Sequence, residues 1–285
     1  MSNHPALAAN RVAVVTGAAS GIGLAASAKF AQLGMKVCMA DLNGAALDAA
    51  AANLRATAAR PDDVRYFVGD VSNFDDVERL KTSVYEAFGE VALLMNNAGI
   101  GGGGGLSGDR AKWRRIVRVN LWGVINGVQV FAPTMIRQGS AAAIVNTGSK
   151  QGITCPPGDT AYNVSKAGVK VVTEALAHEL RNIEGCRVSA HLLIPGFTFT
   201  GMTAGTEVEK PAGAWTAEQV VDFMLAGMAA GDFYILCPDN EVTREVDERR
   251  ILWAAGDIVE NRPPLSRWHP DYKEAFAQFV KSGRS

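Results

Sequence analysis

The segment from Tyr162 to Lys166 places a phenol and an amine four residues apart in the chain. In a helix, residues i and i+4 lie on the same face, so both side chains would point towards one place. An unperturbed tyrosine titrates at about 10 and is a poor base at neutral pH. A neighbouring ammonium stabilises the phenolate and lowers the pKa of the tyrosine. The spacing therefore predicts a general acid and base with a tuned pKa, and the alternative is an ordinary pair on a helix surface.

A glycine-rich turn between a predicted strand and a predicted helix is the second place where chemistry is expected. Residues 11–16 are rich in β-branched and apolar residues, which is typical of a parallel strand buried on both faces. A helix with small and apolar residues at helical spacing follows and ends at Gly34. Glycines let a pyrophosphate approach the backbone, and the helix N-terminus supplies amide groups and a dipole. The predicted contacts in this turn are Gly17, Ser20, Gly21, Ile22 and Gly23.

Asp41 lies at the carboxyl end of the next predicted strand, 35–40, and completes a βαβ unit typical of nucleotide binding. Its carboxylate would accept hydrogen bonds from both hydroxyls of an adenosine ribose and would repel a 2′-phosphate. No Lys or Arg occurs in 17–23 or 42–44, where a phosphate would need a cation. These residues predict NAD rather than NADP as the cofactor. The alternative is that Asp41 only caps the following helix.

Strands and helices alternate along the rest of the chain. This alternation predicts an α/β, doubly wound fold, in which helices cover both faces of a parallel sheet. No repeat or low-complexity linker divides the sequence, so residues 1–285 are predicted to form a single domain. Within it, 197–215 are expected to form a substrate loop and 239–285 a C-terminal extension. The further predicted strands are 64–69, 91–95, 142–147, 187–194 and 233–237, and the further predicted helices are 44–59, 74–88, 109–136, 160–183 and 216–230.

Composition excludes several classes of protein. The 285 residues carry a net charge of −1 with acidic and basic residues interspersed, which does not favour a nucleic-acid partner. The four cysteines are scattered and the four histidines do not cluster, so we expect a reducing, cytoplasmic setting and no metal site. Neither a signal peptide nor a stretch of about 18 apolar residues is found, so no membrane partner is expected.

Seven short motifs occur in the order and at the spacing of one family. With them the chain resembles the short-chain dehydrogenase/reductase (SDR) family over residues 11–200. The resemblance implies a Rossmann-type fold with a seven-stranded parallel sheet in three layers, and assembly into a homodimer or homotetramer. The motifs are Thr16-Gly17-(x)3-Gly21-Ile22-Gly23, Asp70-Val71, Asn96-Asn97-Ala98-Gly99, Asn120-Leu121-(x)-Gly123, Ser149, Tyr162-(x)3-Lys166 and Pro195-Gly196.

Four residues are implied to be catalytic by this resemblance. Tyr162 would be the general acid in carbonyl reduction and the general base in alcohol oxidation. Lys166 would lower the pKa of Tyr162 and bind the nicotinamide ribose. Ser149 would hydrogen-bond the substrate oxygen and stabilise its developing charge. Asn120 would hold a water that connects Lys166 to solvent.

The resemblance also implies a set of residues along the dinucleotide. The adenine, the adenosine ribose and the nicotinamide would each contact a separate segment, in addition to the glycine turn, Tyr162 and Lys166. Thr198 stands where an aliphatic residue is usual in the family, so whether Thr198 or Thr200 binds the nicotinamide carboxamide stays open. The implied contacts are Asp70, Val71, Asn97, Ala98, Gly99, Pro195, Gly196, Thr198 and Thr200.

The predicted function is hydride transfer between NAD(H) and a small-molecule secondary alcohol or ketone. One alternative is a catalytically idle NAD-binding scaffold or sensor, and another is an NADP-dependent carbonyl reductase. A sugar epimerase or dehydratase of the extended relatives fits poorly, because those proteins have a different glycine spacing. No motif identifies the substrate.

Three features have no assigned role in the motif pattern. Lys150 would either meet an acidic substrate group or, more in keeping with a loop lysine, point to solvent or a partner subunit. The glycine run 101–105 would widen the pocket or act as a hinge, or would be a solvent loop. The C-terminal tail would either close over an active site or pack as an arm between subunits.

Overall fold

The computed structural model describes residues 4–58, 60–203 and 209–282. Its centre is a seven-stranded sheet in the order β3-β2-β1-β4-β5-β6-β7, and each neighbouring pair of strands is parallel. The strands are β1 (Val12–Thr16), β2 (Lys36–Asp41), β3 (Val64–Val68), β4 (Leu93–Asn96), β5 (Ala142–Thr147), β6 (Val188–Ile194) and β7 (Tyr234–Leu236).

The central strands are buried on both faces. Every residue of β1, β4 and β5 is buried, as expected for apolar runs in a sheet covered by helices on two sides. Two separate apolar clusters pack against the two faces; Phe30 lies at the centre of one and Phe131 at the centre of the other. The predicted Rossmann-type, doubly wound, three-layered fold is therefore confirmed.

The helices follow the predicted pattern with two local differences, an additional short helix at Gln151–Thr154 and a change within 109–136. The predicted single helix 109–136 is α4, a π-helical turn at Arg118–Trp122, and α5. Such turns often lie at functional sites, and this one contains Asn120. The helices are α1 (Gly21–Gln32), α2 (Gly44–Thr57), α3 (Phe74–Phe88), α4 (Arg110–Val117), α5 (Gly123–Arg137), α6 (Gln151–Thr154), α7 (Thr160–Arg181), α8 (Ala217–Ala230), α9 (Arg244–Val259) and α10 (Lys273–Lys281).

The combined helical segment Arg110–Arg137 is long and apolar enough to cross a membrane by length and composition. The sequence analysis expected no such stretch. Half of its most apolar window is buried inside the fold, where Val130 and Phe131 pack against the sheet. A core helix passes the same test, so this segment is weak support for a membrane span.

The C-terminal extension packs on its own chain. Helix α9 contacts α6, which follows Ser149, and α10 packs on α9. Trp253 of α9 is 5% exposed and its ring contacts Phe276 and Phe279 of α10. Its Nε1 donates to Ser266 Oγ over 2.7 Å. The predicted aromatic tail therefore forms a small apolar core beside the segment that follows β5.

Candidate active site

The glycine turn after β1 is built for close backbone approach. Gly17 has φ +66°, and a Cβ there would lie 2.8 Å from Ala98 Cα, so a side chain would be both strained and obstructed. A Cβ on Gly23 would lie 2.2 Å from Gly17 O, so this residue allows α1 to pack on the turn. The first amide groups of α1 therefore open into the crevice between β1 and β4, where the strand order reverses.

Thr16 holds the turn and the segment after β4 together. Its Oγ1 accepts from Asn97 N over 3.0 Å and from Ala98 N over 3.1 Å. Asn97 Nδ2 donates back to Thr16 O over 3.1 Å. The predicted adenosine-ribose segment is thereby fixed against the predicted pyrophosphate turn.

The carboxylate of Asp41 is oriented by backbone amides at the edge of the crevice. Oδ2 accepts from Ala19 N over 3.1 Å and Oδ1 accepts from Asn43 N over 3.0 Å. The following helix is capped by Asn43, whose side chain accepts from Ala46 N. The alternative that Asp41 caps this helix is therefore wrong.

The crevice has two connected halves that share Gly17, Asp41, Ala98 and Gly99. The larger half, of about 1170 Å³, includes Asp70 and Val71 and continues along α4. The smaller half, of about 420 Å³, contains the predicted catalytic side chains other than Asn120. The chemistry thus lies in the smaller half. Its lining includes Ser20, Gly21, Ile22, Asn97, Ser149, Tyr162, Lys166, Pro195, Gly196, Thr198 and Thr200.

Tyr162 and Lys166 lie on the same face of α7, as the spacing predicted. The Lys166 Nζ lies 5.6 Å from the centroid of the Tyr162 ring and donates to Thr147 O over 2.7 Å. Lys166 is 4% exposed, whereas Tyr162 keeps part of its surface open. Ser149 lines the same half of the crevice, at the carboxyl end of β5.

The pKa of Tyr162 differs in direction from the sequence prediction. Burial raises the pKa of Tyr162, a hydrogen bond with Ser149 lowers it, and the Asp159 carboxylate raises it again, so that the result lies above its ordinary value. Burial also lowers the pKa of Lys166 to about 8. The expectation of a lowered tyrosine pKa is therefore wrong for the chain by itself, because burial disfavours the phenolate more than the hydrogen bond with Ser149 favours it.

Asn120 lies behind the crevice and is fully buried. Its Oδ1 accepts from Ile100 N over 2.8 Å, and its Nδ2 donates to Ile100 O and to Ser165 Oγ over 2.9 and 3.2 Å. These bonds join the π-helical turn to the segment after β4 and to α7. A water relay at Asn120 would therefore have to use its backbone carbonyl or the second lone pair of Oδ1.

The two threonines of the loop after β6 take different positions. Thr198 is 4% exposed and its Oγ1 donates to Gly196 O over 3.3 Å. Thr200 lies opposite the first turn of α1, since a Cβ on Gly21 would lie 3.2 Å from its Cγ2. Residues 204–208 of the predicted substrate loop 197–215 lie outside the described residues.

The sequence analysis missed residues whose roles depend on tertiary contacts. Thr147 accepts from the Lys166 ammonium, and Asp159 caps α7 while its Oδ2 also accepts from Gly102 N over 3.0 Å. Asp159 fits the general preference for an acidic residue before a helix, but its contact with the glycine run has no sequence signal. Gly103 is buried, and a Cβ there would lie 2.5 Å from Ala161 Cβ, so the run is a close backbone approach at this point.

Lys150 does not take the position expected from its place in a loop. Its ammonium lies 3.2 Å from Asp239 Oδ2 and 2.6 Å from Asp247 Oδ2, and its side chain is 17% exposed. The expectation that Lys150 points to solvent or to a partner subunit is therefore wrong. Its charge is paired within the chain, so the other suggestion, an acidic substrate group, has no free ammonium to meet.

The chain matches a family of known proteins over most of its length. The family model described as short chain dehydrogenase matches residues 11–210. The chain is 32% identical over 265 residues to 1-deoxy-11-beta-hydroxypentalenate dehydrogenase of Streptomyces arenae, covering 90% of this chain and 93% of the relative. It is 33% identical over 211 residues to 3beta-hydroxysteroid dehydrogenase 2 of Eggerthella lenta, covering 72% and 77%.

Solved structures show the same similarity. A short chain dehydrogenase/reductase from Burkholderia phymatum, solved in complex with NAD, superposes with a TM-score of 0.82 and 36% identity. The match covers 93% of this chain and 98% of that chain. It therefore includes the C-terminal part, which lies beyond the residues that the family model matches.

Proposed function

The chain belongs to the short-chain dehydrogenase family and is an oxidoreductase, and we propose that it transfers a hydride between NAD(H) and a secondary alcohol or ketone. The observation that supports this proposal is the meeting of Ser149, Tyr162 and Lys166 in one crevice with the glycine turn and Asp41. The residues present fit a dinucleotide, because the backbone is open at Gly17 and the first turn of α1 faces the same space. A bound nicotinamide would accept or supply the hydride.

Tyr162 is the proposed proton donor and acceptor. Tyr162 and Ser149 line the same half of the crevice, and Ser149 acts on the pKa of the phenol, so we place both hydroxyls where one substrate oxygen would contact them. The phenol is protonated at neutral pH, as proton donation to a ketone oxygen requires, but the raised pKa of Tyr162 in the chain alone opposes both release of that proton and the base role in alcohol oxidation. Ser149 would stabilise the negative charge on that oxygen as the proton moves.

Lys166 and Asn120 are proposed to support this centre. Burial lowers the pKa of Lys166 to about 8, close to physiological pH, so its ammonium could give up and regain a proton during the reaction. Asn120 fixes α7 to the segment after β4 through Ser165 and Ile100. We therefore assign Asn120 to holding these elements in register and, through its backbone carbonyl, to a water relay.

NAD is the proposed cofactor in preference to NADP. Two backbone amides hold the Asp41 carboxylate at the edge of both halves of the crevice. Its charge would repel a 2′-phosphate and would accept the ribose hydroxyls. The remaining proposed dinucleotide contacts are Asp70, Val71, Asn97, Ala98 and Gly99 on the adenosine side and Pro195, Gly196, Thr198 and Thr200 on the nicotinamide side.

The proposed substrate is a mainly apolar secondary alcohol or its ketone. Met202 lines the smaller half of the crevice with the reactive groups and lies near Gly101 of the glycine run, and Ile100 lines the adjoining larger half. The names of the relatives indicate dehydrogenases for hydroxylated compounds, 1-deoxy-11-beta-hydroxypentalenate and 3beta-hydroxysteroid. We infer that the present substrate also presents its hydroxyl group on a largely hydrocarbon frame.

A homodimer or homotetramer in a reducing cytoplasm is the proposed state of the protein. Val164 and Val171 lie seven residues apart on α7 and are 45% and 61% exposed, so this helix presents an apolar stripe. All four cysteines are free. Light scattering of the purified chain tests the assembly, and a monomer would contradict it.

The proposed reaction is tested with a panel of secondary alcohols and NAD, read by the absorbance of the reduced cofactor. Wild-type protein is expected to turn over at least one alcohol, and Tyr162→Phe to lose about 10²–10⁴-fold in kcat while still binding NADH. Phenylalanine keeps the ring, which makes it the matched variant. Wild-type turnover by Tyr162→Phe would show that Tyr162 is not the acid and base, and absence of turnover by the wild type with every alcohol would favour the idle NAD-binding scaffold.

A further inference from the structure

A buried ion cluster lies directly behind the proposed active site. The ammonium of Lys150 lies between Asp239, which follows β7, and Asp247, which is on α9. Both carboxylate side chains are 5% exposed. The two aspartates are 89 and 97 residues away from the lysine in the chain, so the cluster joins distant segments.

The cluster contacts two loops that line the crevice. Lys150 directly follows Ser149, and its N–H points to Pro195 O over 3.5 Å. Asp239 Oδ2 accepts from Phe197 N over 3.2 Å. A Cβ on Gly196 would lie 2.6 Å from Asp239 Oδ2 and 2.8 Å from Lys150 Nζ. The backbone of the loop after β6 therefore packs directly against the ion pair.

The same cluster holds the C-terminal extension against this edge of the sheet. Asp247 lies in the first turn of α9, which contacts α6 and is fixed at its other side by Trp253. Taking charges out of water costs free energy, and a buried ion pair is often no more stabilising than apolar residues of the same volume. The cluster is therefore better explained by the geometry that it imposes than by the stability that it adds.

We propose that Lys150 is a positioning residue, whose pairing with Asp239 and Asp247 sets the loops carrying Ser149 and Thr198 in their reactive arrangement. The C-terminal extension is then a structural part of the active site, which is neither of the two roles expected from the sequence. This proposal rests on the proposed function, since it assigns Ser149 and the loop after β6 to the reaction.

The test uses the full-length double variant Lys150→Met/Asp247→Asn. Lys150→Met alone would leave two buried carboxylates facing each other, whereas the double variant removes one charge of each sign and keeps the volumes. We expect amide hydrogen exchange in 149–152 and 196–198 to become at least about tenfold faster in the protein without cofactor. We expect kcat to fall about tenfold or more and the Kd for NADH to rise by a smaller factor, because the adenosine contacts are untouched and only the nicotinamide-side contacts of the loop after β6 are disturbed.

The control is Arg11→Met/Glu90→Gln, which removes a part-buried pair with a 2.7 Å separation near the amino ends of the strands. It should leave exchange in both segments and kcat unchanged; an equal effect of the control would overturn the proposal, because the loss would then be general. Unchanged exchange in the double variant would also overturn it. If the double variant does not fold, Asp247→Asn alone gives the same test with a smaller expected change.

Exchange is measured without substrate, which separates the two proposals. Failure of the proposed function would show as absent wild-type turnover with the exchange difference intact. Failure of the positioning role would show as unchanged exchange, whatever the turnover. Lys150→Arg keeps the positive charge and is expected to retain more of the exchange protection and of the turnover than the double variant does.

Discussion

At the scale of single residues, Asp41 is the group on which the proposed choice of cofactor depends. The structure fixes its carboxylate through Ala19 N and Asn43 N rather than leaving it free in solvent. A fixed charge discriminates better against a phosphate than a mobile one, because it cannot turn away without breaking these hydrogen bonds.

Asp41→Ala should therefore relax the preference for NAD. The ratio of kcat/KM for NAD to that for NADP is expected to fall roughly ten- to hundredfold, since a charged hydrogen bond contributes about 1.5–3 kcal/mol. Steady-state kinetics with both cofactors measure this ratio. Asp222→Ala, which removes a surface pair with Lys29, is the control and should leave the ratio unchanged. A wild-type protein that already used both cofactors equally would refute the role of Asp41.

Lys166 is a residue whose burial opposes stability. Its folded pKa of about 8 lies below its ordinary value of 10.5, so between these pH values the unfolded chain binds more protons than the folded chain. The burial penalty is fully present below pH 8 and is relieved as the pH rises towards 10.5. The buried ammonium next to Tyr162 therefore lowers the free energy of unfolding of the protein.

Lys166→Met should therefore be more stable than wild type at pH 7 while losing turnover. The gain is expected to be about 1–2 kcal/mol, because the relieved burial of charge exceeds the lost hydrogen bond to Thr147 O. Thermal unfolding without cofactor at pH 7 and pH 10 measures it, and the advantage should shrink at pH 10. Lys170→Met, which removes a part-exposed pair with Glu174 on the same helix, should show no such gain. A variant that is less stable than wild type at pH 7 would contradict the assignment.

The sequence predicted which residues meet in the crevice, but not the direction of every pKa shift or the position of every side chain. The spacing of Tyr162 and Lys166 correctly predicted a shared face, because helical geometry alone determines it. The pKa of Tyr162 was predicted in the wrong direction, because burial depends on tertiary structure. Lys150 was predicted to point to solvent or to a partner subunit, and this was wrong for the same reason, since its partners Asp239 and Asp247 lie in distant segments.

At the scale of elements, sequence patterns predicted secondary structure best where burial or local capping alone determines the element. Continuous apolar runs predicted the buried strands, and the Thr216 cap of α8 forms a capping box with Gln219. The π-helical turn at Asn120 has no such pattern, because it follows from side-chain bonds to Ile100 and Ser165. The packing of α10 on α9 was likewise open, since aromatic side chains do not specify their partner.

Trp253→Ala should destabilise the protein by about 3–5 kcal/mol, because a large buried ring would leave a cavity between α9 and α10. Equilibrium unfolding in urea measures the loss. Trp268→Ala is a suitable control, because Trp268 is 39% exposed in the same extension and should cost much less. Equal effects of the two variants would show that the extension has no packed centre at Trp253.

At the scale of the whole molecule, the fold brings the proposed functional residues to one edge of the sheet. The carboxyl ends of parallel strands supply Asp41 from β2, the segment after β4, Ser149 after β5 and the loop after β6. We infer that residues 1–285 act as one domain, since α9 is tied to this edge by the Lys150–Asp247 pair and by its contact with α6. The substrate could not be predicted from the sequence, because its pocket depends on loops that follow no motif.

The central claim is that a hydride passes directly between the substrate carbon and the nicotinamide. It is tested most directly with wild-type protein, NAD and a secondary alcohol carrying deuterium on its carbinol carbon, followed by mass spectrometry of the reduced cofactor. The account predicts one deuterium in each molecule of NADH formed. Tyr162→Phe should form labelled NADH only at its low residual rate. Reduced cofactor that lacks deuterium, or no reduction with any secondary alcohol or ketone pair, would contradict it.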